Sequence, residues 1–91
     1  MTLKLVPQIR RGATLTPGKW YRITEIDPKD PEPSLAVGDV VRCSVDPGPR
    51  ELSHEWYPDF GGSWFADLQE GEAGFGTLIT GLVEVPPPGE A

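Results

Sequence analysis

His54 and Cys43 are the only histidine and the only cysteine in this chain of 91 residues. A zinc centre takes four nitrogen or sulfur ligands, or three and a water, so one copy of each cannot build it. No metal and no other cofactor is expected. Ser53, His54 and Asp59 supply the residue types of a nucleophile, base and orienting acid. Proton transfer needs those groups within hydrogen-bond reach, and a nucleophile and base adjacent on a loop rarely meet in that geometry, so they are expected to be ordinary loop residues. Gly71, Gly74 and Gly76 have the wrong spacing for a phosphate-cradling loop, lack a following Lys and precede a strand pattern. Acid pairs such as Asp67 and Glu70 could cleave a glycoside only in a cleft that holds the sugar. A chain of this length is not expected to enclose one, and the expectation is a protein that is not an enzyme.

The aromatic residues form a sharper pattern. Trp56, Tyr57 and Phe60 fall within residues 47–62, with Trp64 and Phe65 just beyond the Gly61-Gly62 pair. Large rings on loops are favoured anchors for a binding partner, yet a small domain also folds such rings back as apolar cover. The candidate partner-binding surface is therefore His54, Trp56, Tyr57, Asp59 and Phe60, while Trp20 and Trp64 are expected in the core. A formal net charge of −6 disfavours nucleic acid, because phosphate binding requires Lys and Arg to replace condensed counterions. If a nucleotide or single strand were the ligand, Arg10, Arg11, Arg22 and Arg42 would meet phosphate while Trp20, Tyr21 or Trp56 stacked on bases. The 14 acids favour solubility. Gathered on one face, they would instead imitate DNA and suit a basic cleft on another protein.

The elements that must position these residues are short. Eleven Gly and eleven Pro exclude long helices, since Pro removes a donor and Gly adds backbone entropy to be lost. Alternating apolar residues predict strands at 3–8, 19–27, 40–46, 63–69 and 77–85. In the third of these Val41, Cys43 and Val45 share the inward side, where a thiol without cationic neighbours is a small hydrophobe. In the last, Ile79, Gly81, Val83 and Val85 share one face, with Gly81 marking a bend or bulge. Residues 27–34, with three prolines, read as a solvated loop. A connection as long as 47–62 is uncommon and tends to be functional or mobile. Five short strands with two exposed edges would invite aggregation, and closing the sheet removes the edges. The predicted fold is all-β, a small five-stranded SH3-like barrel or half-barrel with long loops, over 1–85, followed by a flexible Pro-rich tail at 86–91.

The order of short motifs resembles the small SH3-like barrel proteins of bacteriophages and prophages. The motifs are Gly18-Lys19-Trp20-Tyr21-Arg22-Ile23, then Val37-Gly38-Asp39-Val40-Val41-Arg42, an aromatic strand at 64–68, and Gly81-Leu82-Val83-Glu84-Val85. The resemblance covers about residues 17–85, and the aromatic, proline-rich stretch at 47–62 departs from it. It implies an accessory protein that binds a host or viral protein. A lone cysteine and the lack of any apolar run near the roughly 20 residues of a membrane span lead to the expectation of a cytoplasmic protein without a membrane partner. A third reading is a virion-associated structural protein or homo-oligomer joined by edge pairing of residues 3–8.

Overall fold

The structure is a computed structural model that describes residues 8–30, 33–66 and 76–89. Strand β1, Trp20–Ile26, turns Tyr21 and Ile23 inward, and β2, Val40–Ser44, does the same with Val41 and Cys43. Both are runs of β-branched and aromatic residues in alternation, suited to a pleated surface with one buried side. Three further strands follow: β3, Glu51–Ser53, β4, Trp64–Ala66, and β5, Thr77–Val85. They close in the order β1-β2-β3-β4-β5 into a barrel. The fold is thus all-β, five strands forming a small closed barrel. Its core gathers Leu15, Tyr21, Ile23, Leu35, Val41, Cys43, Leu52, Trp64, Ala66, Ile79 and Leu82.

Several strands differ from their sequence reading, each for a physical reason. The predicted strand at 3–8 lies outside the described residues except for Gln8; the next residue, Ile9, donates its N–H to the Leu82 carbonyl at 2.8 Å. The long connection at 47–62 contains a strand, β3, that alternation over three residues was too brief to reveal. It pairs parallel to β2, with Arg42 opposite Glu51 and Cys43 opposite Leu52. Strand β2 ends at Ser44, so Val45, expected on its inward side, is 67% exposed. Trp20, expected in the core, is only half-buried and shares the outward side of β1 with Arg22. The phase is set by its neighbour Tyr21, whose buried hydroxyl accepts the Thr16 N–H at 3.0 Å. In the stretch read as a solvated loop, Pro28, Lys29, Pro33 and Ser34 are exposed, but two of its acids are drawn into the fold. Asp27 is buried and accepts the Lys29 N–H at 2.9 Å, and Asp30 accepts the Leu78 N–H at 3.0 Å.

Gly81 marks the bulge that the sequence anticipated. Pairing of β1 with β5 runs from Trp20↔Val85 to Ile23↔Leu82, slips to Glu25↔Gly81, and returns at Ile26↔Ile79. Thr24 is thus the extra residue on β1 and Thr80 the extra residue on β5. The double slip reverses the phase of β5, so Ile79 and Leu82 both point into the core, where strict alternation would have put Ile79 with Gly81 and Val83. A Cβ at Gly81 would lie 2.7 Å from Thr24 Oγ1 and from Gln8 Nε2, and 2.9 Å from Glu25 Cβ. Gly81→Ala is expected to lower unfolding stability by about 1–3 kcal/mol, the usual cost of overpacking. Urea denaturation measures it, and an unchanged midpoint would show that the bulge has room.

Candidate functional site

The aromatic stretch between β2 and β4 is pinned at both ends. On leaving β2 the chain turns through Pro47 to Arg50, the last held at φ 61°. The Glu51 carboxylate fixes that turn, accepting the Gly48 N–H through Oε1 at 2.8 Å and the Arg42 guanidinium through Oε2 at 3.4 Å. After β3, the His54 carbonyl accepts the Leu15 N–H at 2.9 Å, tying the stretch to a core residue. Tyr57 and Ser63 then form a bridge, with the Tyr57 N–H donated to Ser63 O at 3.0 Å. Inside it a 3-10 turn, Pro58–Phe60, reverses the chain, and Gly61 and Gly62 follow it at φ 74° and 70°. Two consecutive left-handed residues are tolerated because neither carries a Cβ.

Two ring pairs anchor this hairpin to the barrel. Trp56 meets the fully buried Trp64 edge to face, with centroids 4.5 Å apart and planes at 79°. Tyr57 stacks on Phe65 at 5.0 Å and 29°. This explains why all of Trp64, Phe65 and Ala66 are buried although β4 alternates: Phe65 lies on the opposite side of the strand from the core and Tyr57 covers it. Trp56 and Tyr57 each stay half-buried, and Glu55 and Asp59 on either side are exposed. The loop is therefore acidic at its surface and aromatic beneath. The buried Asp27 packs close to the turn, its Oδ2 3.4 Å from where a Gly61 Cβ would be.

Ser53 and His54 are adjacent in sequence and Asp59 follows five residues on, but the Ser53 hydroxyl is engaged elsewhere and not by His54. Ser53 Oγ accepts the Phe65 N–H at 3.0 Å and donates to the Glu55 carbonyl at 3.3 Å. His54 Nε2 sits 3.6 Å from Glu55 Oε1, and His54 Nδ1 has no partner among the described residues. Cys43 is wholly enclosed, and burial pushes its thiol up from 9.0 to about 11. Among the described residues no three His, Cys, Asp or Glu side chains cluster as a metal site would require. No helix among them is long and apolar enough to cross a membrane.

The four arginines considered for phosphate, Arg10, Arg11, Arg22 and Arg42, separate into two groups. Arg42 stands opposite Trp20 in the β1–β2 register, with Arg22 two residues further along the outward face of β1. Arg10 and Arg11 lie towards the other end of β1, where Arg11 approaches Glu25. Tyr21, named as a stacking ring for bases, is in the core and offers no free face. Sequence reasoning missed the roles of Leu15, Glu51 and Ser53. The acid three residues after Gly48 was the one available signal, for Glu51.

Fold and site together define a small closed barrel carrying a braced aromatic hairpin on one side. No family model matches the chain, and no curated protein or solved structure is significantly similar to it.

Gly62 leaves no space above Trp56: a Cβ there would lie 2.9 Å from Trp56 Cζ2 and Nε1. Gly62→Ala is expected to lower Tm by roughly 5–15 °C, given about 4–8 °C per kcal/mol for a domain this size, with altered tryptophan fluorescence. An unchanged melt and spectrum would mean that Trp56 is not held as described. For Cys43 the raised thiol pKa gives a sign. The neutral buried thiol contributes fully below pH 9.0, and its contribution is lost as pH rises toward about 11. The stability of the wild-type chain relative to Cys43→Ala should fall over that interval in urea titrations; a constant difference would show that the thiol ionises alike in both states.

Proposed function

We propose that this chain is a non-catalytic interaction module of the phage accessory type. It binds a host or viral protein in the cytoplasm, and modulates or inhibits it, through the surface formed by His54, Trp56, Tyr57, Asp59 and Phe60. The observation that carries this reading is the bracing of Trp56 and Tyr57, half-buried against Trp64 and Phe65 between the exposed acids Glu55 and Asp59. Rings held in place before binding lose little freedom on association, and aromatic anchors rank among the strongest contributors to interfaces. Carboxylates at their rim, on a chain of net charge −6, favour a partner whose apolar pocket is edged by Lys and Arg, and speed the encounter.

A second reading draws on Trp20. Its half-exposed ring faces outward opposite Arg42, near Arg22, an arrangement suited to stacking one base while two guanidiniums meet phosphate. The overall charge opposes it, and Arg42 is already paired with Glu51 at 3.4 Å.

One experiment separates the two. The immobilised wild-type chain and the double reversal Glu55→Lys/Asp59→Lys are used to capture proteins from a bacterial lysate. Both changes are at exposed positions, where substitutions cost within about 0.5 kcal/mol, so the fold is retained. A protein held by the wild-type chain and released by the reversal is the expected result; an identical set on both would sink the reading. In parallel, a short oligothymidylate is titrated against tryptophan fluorescence. Quenching seen in the wild-type chain and lost in Trp20→Phe would favour the second reading.

A further inference from the structure

Gln8, Ile9, Arg10, Arg11, Glu25 and Thr80 surround an open cleft of about 630 Å³, away from the aromatic hairpin. The segment carrying the two arginines is held at several points. The Ile9 N–H bonds to Leu82 O at 2.8 Å, the Ala13 N–H closes a turn onto Arg10 O at 3.2 Å through Gly12 at φ 83°, and Leu15 inserts into the core. Opposite stands the double bulge. There the Thr80 hydroxyl donates to Glu25 Oε1 at 2.9 Å, fixing the carboxylate in one orientation.

The cations in this cleft are weakly matched. Arg10 has no ion pair among the described residues, and Arg11 reaches only to 4.0 Å from Glu25 Oε1, an oxygen that Thr80 already uses. Elsewhere the pairs are closer, with Lys19 at 3.7 Å from Glu84 and Arg42 at 3.4 Å from Glu51. Glu25 Oε2 accepts no hydrogen bond from any described residue. In a chain with 8 basic and 14 acidic side chains, two consecutive guanidiniums with spare donors converge on one concavity beside one spare carboxylate oxygen. Guanidinium forks match carboxylate and phosphate oxygens, and cavities of roughly 300–1,000 Å³ are those that take small ligands.

We propose that this cleft binds a small anionic molecule. Arg10 and Arg11 hold its phosphate or carboxylate group, and Glu25 Oε2 accepts from an ammonium or other N–H donor on the same molecule. Glu25 makes the site selective, because its charge repels a bare anion and attracts one that carries a compensating donor.

The test is an amide chemical-shift titration of the full chain at low salt with three probes. O-phosphoethanolamine joins a phosphate to an amine, β-alanine joins a carboxylate to an amine, and ethyl phosphate has no amine. Saturable shifts centred on Gln8 to Arg11, Glu25 and Thr80 are expected with at least one amine-bearing probe, several-fold tighter than with ethyl phosphate. Whichever of the two binds better identifies the anionic group. Arg10→Gln/Arg11→Gln should weaken that binding about ten-fold, or ~1.4 kcal/mol, and Glu25→Gln should erase the preference over ethyl phosphate. Thermal melts check that both variants remain folded. Linear shifts that never saturate, or binding unaffected by the double arginine substitution, would overturn the proposal.

Discussion

Strand β5 has to serve two neighbours in one barrel. Its first residues pair with β4 and nearly its whole length pairs with β1, so a sheet of short strands closes only if this strand coils sharply. Bulges supply local twist and bend, and here each of the two paired strands contributes one extra residue, on either side of Gly81. A side chain at Gly81 would collide with Thr24, Glu25 and Gln8, so closure depends on its absence. The same slip turns Leu82 inward beside Ile79 and leaves the Leu82 carbonyl to receive the Ile9 N–H. Through that bond the chain before β1 is laid against β5, and Arg10 and Arg11 come to stand over Glu25 and Thr80.

A barrel this small cannot fill itself from its strands alone. Leu15 and Leu35, both from connecting segments, complete the core, and backbone bonds hold each in place: Leu15 through the His54 carbonyl, Leu35 through the Thr77 hydroxyl at 2.7 Å. Connections that would otherwise be free thereby become part of the closed structure. Domains of this size bury only about 60% of their unfolded surface, so a leucine from a loop matters as much as one from a strand.

The aromatic hairpin extends the same economy. Trp56 and Tyr57 cover Trp64 and Phe65, which stabilises the barrel, and their remaining faces stay open between acids. One pair of side chains thus covers the barrel while keeping part of each ring half-buried at the surface, and the loop is ordered by folding itself. Of the two roles the sequence opened for these rings, the contacts with Trp64 and Phe65 are those of core cover.

Alternation of side chains was enough to place most of β1, β2 and β5, to assign Cys43 inward and to expect closure, because a strand with one buried side writes a period of two into its residues. The run Trp56 to Phe60 stood out as a candidate surface for a similarly local reason, since rings among Gly and Pro have no regular element to bury them. Tertiary structure alone decided the rest. The three residues of β3 are too few to carry a period, and their parallel partner β2 is defined only by the return of the chain. Trp20 faces outward because Tyr21 is the residue turned into the core, where its hydroxyl accepts the Thr16 N–H, and the phase of β5 reversed because two extra residues met at Gly81. Arg10, Arg11, Glu25 and Thr80 share a cleft although some seventy positions separate the first from the last. Pairing across the barrel determines such neighbours, and a linear pattern records only what each residue's own strand requires.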